Sequence, residues 1–96
     1  MGRSMQFEWD EAKRRANLEK HGVDFADLEE FDWTSRVVFR DERKDYREMR
    51  FLILAGFLGG VHSVTFTVRG TAYRIISFRR ASRKEVRRYE EEKDKP

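Results

Sequence analysis

Hydrophobic and polar residues follow a regular pattern along this chain, and the pattern predicts where its strands lie. A period of two over residues 61–69 and 73–79 indicates two strands that are each polar on one face. The continuous apolar run over residues 51–54 is typical of a central strand that is buried on both faces. Shorter patterns of the same kind predict strands at residues 5–9 and 36–40.

Three helices are predicted from capping residues. Asp10 is a suitable N-cap for a helix over residues 11–20, and Gly22 provides its left-handed end. A second, short helix begins after Asp24, and the Ser-x-x-Glu capping box that starts at Ser82 predicts a final helix. The first helix is expected to turn its apolar residues inward, namely Ala12, Ala16 and Leu18.

The two alternating strands predict a hairpin with unequal faces. If Arg69 lies opposite Tyr73 across a three-residue loop, one face is apolar and belongs to the core. That face carries Val64, Phe66, Val68, Ile76 and Phe78. The opposite face is expected to be open and, apart from Ile75, polar and cationic, and it carries Ser63, Thr65, Thr67, Arg69, Tyr73, Ser77 and Arg79. Helices are left to cover the apolar face, which predicts an α+β domain.

Length and composition narrow the range of proteins further. The 96 residues suffice for one domain, which we assign to residues 5–90, with a candidate cloning remnant at residues 1–4 and a frayed tail at residues 91–96. No cysteine is present, which fits the reducing cytoplasm. The longest apolar run, residues 51–58, is too short to cross a bilayer, so no membrane partner is expected.

Positive charge is concentrated in one part of the chain. Residues 69–88 contain eight arginines or lysines and a single acid, Glu85. Guanidinium groups grip phosphate oxygens through paired hydrogen bonds, and hydroxyl groups between them suit the sugars of RNA. We therefore predict an RNA-binding face, with general electrostatic contacts from Arg74, Arg80, Arg83 and Lys84.

A catalytic version of this face would use the RNA itself as the nucleophile. Attack of a 2′-hydroxyl on the neighbouring phosphate needs stabilisation of negative charge and two proton transfers. Lys20 and His21 could either cap the first helix or act on RNA, whereas a packed position suits His62 better. The acidic residues form no recognisable metal-ligand cluster, so metal-independent chemistry without a cofactor is expected.

Three motifs in order along the chain resemble a known family. The first runs from Phe7-Glu8-Trp9-Asp10 through Lys13 to Lys20-His21-Gly22, and the second is Glu48-Met49-Arg50-Phe51. The third joins Thr67-Val68-Arg69-Gly70 to Arg74-Ile75-Ile76-Ser77 and Arg79-Arg80-Ala81-Ser82. In these motifs the chain resembles the BrnT family, which is the toxin half of a bacterial type II toxin–antitoxin pair.

The resemblance implies a fold, an activity and a partner. The implied fold is RelE-like, a small curved antiparallel sheet with N-terminal helices and a C-terminal helix. The implied activity is that of an endoribonuclease that cleaves RNA and inhibits translation, with Arg69 and Arg79 as catalytic residues by position and Lys20 and His21 as companions. The implied partner is an antitoxin with a ribbon-helix-helix segment, which binds the operator DNA and forms a heterotetramer with the toxin.

Two classes of function follow from these observations. The leading hypothesis is a metal-independent endoribonuclease toxin. The alternative is a non-catalytic module that binds nucleic acid or protein through the same arginine-rich face, since no acid–base pair can be assigned from the sequence. In the predicted register, Arg69 and Arg79 lie at opposite ends of the hairpin, so they contact successive phosphates unless a bulge brings them closer.

Overall fold

A computed structural model of the chain describes residues 6–42 and 47–95. Its elements, in chain order, are β1 Gln6–Glu8, α1 Glu11–His21, two 3₁₀-helices at Phe25–Glu30 and Trp33–Ser35, β2 Val37–Arg40, β3 Arg50–Phe57, β4 Gly60–Arg69, β5 Ala72–Arg80 and α2 Arg83–Glu92. The expected cloning remnant at residues 1–4 lies outside the described residues. In the described part, no helix is long and apolar enough to span a membrane.

The five strands form one open sheet in the order β1-β5-β4-β3-β2. Strands β2, β3, β4 and β5 pair with one another antiparallel, whereas β1 pairs with β5 in parallel, with Phe7 opposite Tyr73. The predicted α+β class, with helices in the N-terminal and C-terminal regions, is confirmed. The sheet is mixed because β1 and β5 are far apart in the sequence, so no hairpin imposes an antiparallel direction on them.

Both α-helices begin at the predicted capping residues. The Asp10 carboxylate accepts hydrogen bonds from two backbone N–H groups in the first turn of α1, at 2.8 and 3.2 Å. Gly22 follows α1 with a φ of 75°, a conformation that costs glycine little because it has no Cβ. Ser82 and Glu85 make both hydrogen bonds of the capping box at the start of α2.

The main core lies between one face of the sheet and the N-terminal segment. Phe25, Leu28 and Phe31 are buried there against the sheet residues Val64 and Phe78. The rings of Phe31 and Phe78 meet edge to face with centroids 5.9 Å apart, a favoured geometry for aromatic pairs. The core roles predicted for Val64, Phe66 and Phe78 are therefore confirmed.

The prediction that Ala12, Ala16 and Leu18 face the core is wrong. All three are exposed, and Asn17 is the buried residue of α1. The Asn17 side-chain amide donates to the Phe78 carbonyl at 2.7 Å and accepts from the Phe78 N–H at 3.1 Å. Asn17 thus takes the place of a neighbouring strand for β5, beyond the point where β1 ends. Buried backbone polar groups need hydrogen-bond partners, and the Asn17 amide supplies them.

The β4–β5 hairpin turns one residue more tightly than predicted. Arg69 pairs with Ala72 instead of Tyr73, so the loop contains two residues, Gly70 and Thr71. Gly70 has a φ of 60°, which a two-residue hairpin loop commonly requires. The predicted register is correct further from the turn, where Thr65 lies opposite Ser77.

A β-bulge at Ile76 connects the two registers of the hairpin. Phe66 pairs with Ile75 and Thr65 pairs with Ser77, which leaves Ile76 as the extra residue on β5. Ile75 takes the core position that was predicted for Ile76. Val68, which was also predicted for the core, is 49% exposed.

The hydroxyl-rich face of the sheet is not open as predicted. Ser63, Thr65 and Thr67 are all buried, and α2 lies over this side of the sheet. The register sets Leu52 opposite Thr65 and Leu54 opposite Ser63, so β3 adds an apolar strip beside the hydroxyl groups. Tyr89 of α2 packs on that strip, and this burial explains why the helix covers the face.

Candidate active site

The two ends of the hairpin carry separate groups of basic side chains. Arg69 lies at the turn end of β4, opposite Ala72, whereas Arg79 lies at the far end of β5, opposite Ser63. These positions are roughly 20 Å apart, at about 3.3 Å per strand residue. Since the bulge shortens this separation by one residue at most, it does not bring the two arginines onto one phosphate.

A pocket of about 320 Å³ opens at the turn end, and we refer to it as the turn-end pocket. Helix α1 and its N-cap, the segment before β3, and strands β3, β4 and β5 all contribute to its wall. Its charged lining residues are Asp10, Lys13, Arg47, Glu48, Arg50, Arg69 and Arg74. Five basic side chains face two acidic ones here, so the pocket has a positive field that suits a polyanion.

Glu48 lies between two guanidinium groups of the turn-end pocket. Its Oε1 is 3.4 Å from Arg69 Nη2, and its Oε2 is 3.6 Å from Arg50 Nε. Charge-assisted hydrogen bonds are usually about 2.7–2.9 Å long, so the contact with Arg69 is a weak one. The Arg69 side chain is 56% exposed, which leaves its guanidinium accessible to an anion from solvent.

Arg79 has a strong partner of its own. Its Nη1 and Nη2 donate to the two carboxylate oxygens of Glu85 at 2.8 and 2.9 Å, and the two side chains are only 23% and 16% exposed. Burial by itself raises the pKa of the Glu85 carboxyl, but the hydrogen bonds and charge of Arg79, with those from Ser82, lower it overall. The guanidinium fork of Arg79 is therefore occupied by a carboxylate from α2.

Lys20 and His21 lie at the end of α1, near Arg79 and away from the turn-end pocket. Burial lowers the pKa of His21 below its usual value, and the positive charges of Lys20 and Arg79 lower it further. The structure thus groups three of the four predicted catalytic residues, Lys20, His21 and Arg79, and separates them from Arg69. We refer to these three residues as the far-end cluster.

The four residues predicted to contact RNA generally are divided between the two ends. Arg74 lines the turn-end pocket and also approaches Glu8 at 3.7 Å. Arg80 ends β5, while Arg83 and Lys84 lie exposed in the first turn of α2. Cations are unfavourable at a helix N-terminus, so the latter two do not stabilise α2 through its dipole.

His62 is a core residue, as predicted. It is 6% exposed, and its ring meets Phe57 and Phe78 edge to face at 5.2 and 5.9 Å. Burial lowers its pKa, the Gly60 carbonyl opposes this shift, and the charge of Arg80 adds to it. His62 is thus packed in the core, opposite Arg80 of the neighbouring strand and away from the turn-end pocket.

A larger depression of about 440 Å³ lies between β2 and α2, but its charges balance. Its lining has three basic residues, Arg40, Lys84 and Arg88, and three acidic residues, Asp41, Glu42 and Glu85. It therefore lacks the excess of positive charge that distinguishes the turn-end pocket. Among residues 6–42 and 47–95, no group of three or more His, Cys, Asp or Glu side chains could hold a metal ion.

Four residues of the turn-end pocket are not among the functional residues predicted from the sequence, namely Lys13, Arg47, Glu48 and Arg50. Lys13, Glu48 and Arg50 lie within the motifs that resemble BrnT, and their place in those motifs was a sequence feature that could have marked them as functional. The charge pattern around residues 69–88 could not reveal them, because they come from α1 and from the segment that leads into β3.

The fold and the pocket define a small α+β protein whose sheet presents a pocket with an excess of positive charge. A family model described as ribonuclease toxin, BrnT, of type II toxin–antitoxin system matches residues 9–85. The chain therefore belongs to the BrnT family of ribonuclease toxins, as the resemblance indicated. Membership implies a ribonuclease in general, with an RNA target and an antitoxin partner. No curated protein matches the chain in sequence.

Proposed function

We propose that this chain is a metal-independent endoribonuclease that cleaves RNA through its own 2′-hydroxyl and inhibits translation in the cytoplasm. The observation that carries the proposal is the convergence of five basic side chains on the turn-end pocket. Negative charge on a pentacoordinate phosphate needs preorganised positive groups, and removing one such group typically slows a reaction by about 10²–10³-fold. Arginines supply this charge without a metal ion and stay protonated at neutral pH.

Within the pocket, Arg69 and Arg74 contact the scissile phosphate. Arg69 is well exposed and weakly paired, so a phosphate can replace Glu48 as the partner of its guanidinium. Arg74 enters from the adjacent strand, since it pairs with Thr67 two residues before Arg69. Two guanidinium groups that approach from neighbouring strands can hold two phosphate oxygens at once.

The far-end cluster binds a different phosphate of the same RNA strand. The separation of roughly 20 Å between the two ends rules out a shared phosphate, at about 3.3 Å per strand residue. Lys20, His21 and Arg79 stabilise charge there, and RNA competes with Glu85 for Arg79. The exposed Arg80, Arg83 and Lys84 add general electrostatic attraction, which strengthens binding at low salt.

The antitoxin inhibits by covering the arginine-rich face with acidic side chains or with a helix. The excess of positive charge in the turn-end pocket favours a partner with acidic groups, because complementary charge directs association and excludes wrong partners. In this proposal the antitoxin carries a ribbon-helix-helix segment and binds operator DNA. The toxin reaches that DNA only through the antitoxin, in a heterotetramer of two toxins and two antitoxins.

The experiment is cleavage of a defined RNA by the purified chain, with free RNA in EDTA and with ribosome-bound messenger RNA in the Mg²⁺ that intact ribosomes need. Cleavage of free RNA in EDTA supports the whole proposal, cleavage of the ribosome-bound RNA alone supports the ribonuclease function, and in either setting RNA with a 2′-deoxy residue at the cut site should stay intact. Binding without cleavage in both settings would support the alternative, a non-catalytic module that uses the same face. Cleavage that requires a divalent metal would contradict the proposed mechanism.

A further inference from the structure

Glu48 is the carboxylate of the turn-end pocket that lies against Arg69, and the other candidate proton acceptors lie elsewhere or have another role. His62 is buried in the core, and His21 lies with Arg79 at the far end. The second carboxylate of the pocket, Asp10, accepts two backbone hydrogen bonds as the N-cap of α1. Lysine and arginine side chains donate hydrogen bonds and have no acceptor atom, so the basic side chains of the pocket are unsuited to this task.

The position of Glu48 suits this task. Its two carboxylate oxygens point to different guanidinium groups, those of Arg69 and Arg50, at 3.4 and 3.6 Å. A phosphate held by Arg69 must therefore lie next to the carboxylate. The Glu48 side chain is 34% exposed, so a ribose hydroxyl can approach it from solvent.

We infer that Glu48 is the general base of the RNA cleavage reaction, and this inference rests on the proposed function. The Glu48 carboxylate removes the proton of the 2′-hydroxyl, and the 2′ oxygen forms a bond to the adjacent phosphorus. The bond from phosphorus to the 5′ oxygen breaks, and that oxygen takes a proton from solvent. The products are a 2′,3′-cyclic phosphate and a 5′-hydroxyl, and Glu48 returns its proton to solvent.

The surrounding charges have a second role in this step. Lys13, Arg47, Arg50, Arg69 and Arg74 face the carboxylate from five parts of the fold, with Asp10 as the other acid. Without RNA, Arg50 and Arg69 hold Glu48 by weak contacts. When a phosphate binds these cations, it competes for their hydrogen bonds and leaves the carboxylate facing the ribose.

The test is single-turnover cleavage in EDTA by Glu48→Gln, beside the wild type and the matched control Glu90→Gln on the exposed surface of α2. General-base catalysis typically contributes about 10²–10⁴-fold, so Glu48→Gln should cleave at least ~100-fold more slowly. Its Kd for RNA should be unchanged or lower, because the variant removes a negative charge from the pocket. Glu90→Gln should cleave at the wild-type rate.

Two further readouts separate a proton acceptor from a residue that only positions Arg69. The wild-type rate should fall on acidification as a carboxylate becomes protonated, and the residual rate of Glu48→Gln should lack that fall. Added formate should partly restore cleavage to Glu48→Ala by acting as an external base. Retained acid dependence in Glu48→Gln, or no effect of formate on Glu48→Ala, would argue for positioning and overturn the inference.

The outcomes also distinguish this inference from the proposed function. If the wild type cleaves RNA and Glu48→Gln cleaves within about twofold of it, Glu48 is not the base, while the ribonuclease function stands. If the wild type cleaves neither free nor ribosome-bound RNA, both the proposed function and the inference fail. Circular dichroism of each variant shows whether a lost activity reflects a lost fold.

Discussion

The two ends of the β4–β5 hairpin carry the same type of side chain in opposite surroundings. At the turn end, Arg69 is 56% exposed and its contact with Glu48 is 3.4 Å long. At the far end, Arg79 is 23% exposed and makes two hydrogen bonds of 2.8 and 2.9 Å with Glu85. The first arginine is available to a ligand, and the second is part of the packing between the sheet and α2.

This difference shows that a row of arginines in a sequence does not identify a binding site. The strength of the contacts that the fold supplies decides whether a guanidinium is available to a ligand at once or must first release a carboxylate. Substitutions at the turn end should therefore change activity and leave stability intact. Substitutions at the far end should change stability first, and four predictions test this division.

The largest effect is expected from Arg69→Ala, which should slow RNA cleavage by about 10²–10³-fold, because it removes a group that stabilises the transition-state charge. Since the side chain is exposed and weakly paired, the free energy of unfolding should change by less than about 0.5 kcal/mol. Cleavage in EDTA and urea unfolding measure the two quantities. Arg87→Ala, an exposed arginine on α2, is the matched control. Wild-type cleavage by Arg69→Ala would remove the turn-end pocket from the reaction.

The next effect in size is expected from Asn17→Ala, next to the far-end cluster. This variant leaves the N–H and the carbonyl of Phe78 without their partner, and it should lower the free energy of unfolding by about 2–4 kcal/mol. Urea unfolding measures the loss, with Glu19→Ala on the exposed side of α1 as the control. A loss as small as that of Glu19→Ala would mean that α1 does not hold the edge of β5.

A smaller loss is expected from Arg79→Ala, which leaves the mostly buried Glu85 without its partner. Because both side chains are only partly exposed, the expected loss of unfolding free energy is about 1–3 kcal/mol. In the double variant Arg79→Ala/Glu85→Gln the carboxylate is gone, while the amide keeps an oxygen for the cap of α2. The double variant should therefore be more stable than Arg79→Ala alone. Additive losses would show that the pair is not coupled.

The smallest effect is a dependence of stability on pH. The folded-state pKa of His21 is lowered from 6.5, so the unfolded chain binds more protons below about pH 7. The free energy of unfolding should therefore fall as the pH drops through 6.5 toward the folded-state pKa. His21→Gln should reduce this slope, and His62, whose pKa is lowered too, should preserve part of it. Urea unfolding of the wild type and His21→Gln between pH 5.5 and 8 measures this slope. Equal slopes in the two proteins would show that folding does not lower the pKa of His21.

Local signals in the sequence were sufficient to predict most elements of the fold. Asp10, Gly22 and Ser82 set the helix ends through capping, which depends only on neighbouring residues. The alternation in β4 and β5 predicted a hairpin and the burial of Phe66 and Phe78. It did not reveal the bulge, because a two-residue loop with a bulge and a three-residue loop give the same pairing far from the turn.

The candidate site was less accessible to prediction because it depends on contacts between distant segments. Lys13, Glu48 and Arg69 meet only when α1, the segment before β3 and the end of β4 come together. The burial of Ser63 and Thr65 likewise depends on Leu52 and Leu54 of β3, which attract α2 to that face. The charge pattern identified Arg69 and Arg79 but could not show that only Arg79 has a strong partner.

The central claim is that the scissile phosphate binds in the turn-end pocket. The most direct measurement is a crystal structure of the protein with a short RNA substrate that has a 2′-deoxy residue at the cut site. The account predicts a phosphate within hydrogen-bond distance of Arg69, about 2.7–3.2 Å, with the 2′ position facing Glu48. A scissile phosphate on Arg79, Lys20 and His21, with the turn-end pocket empty, would contradict it.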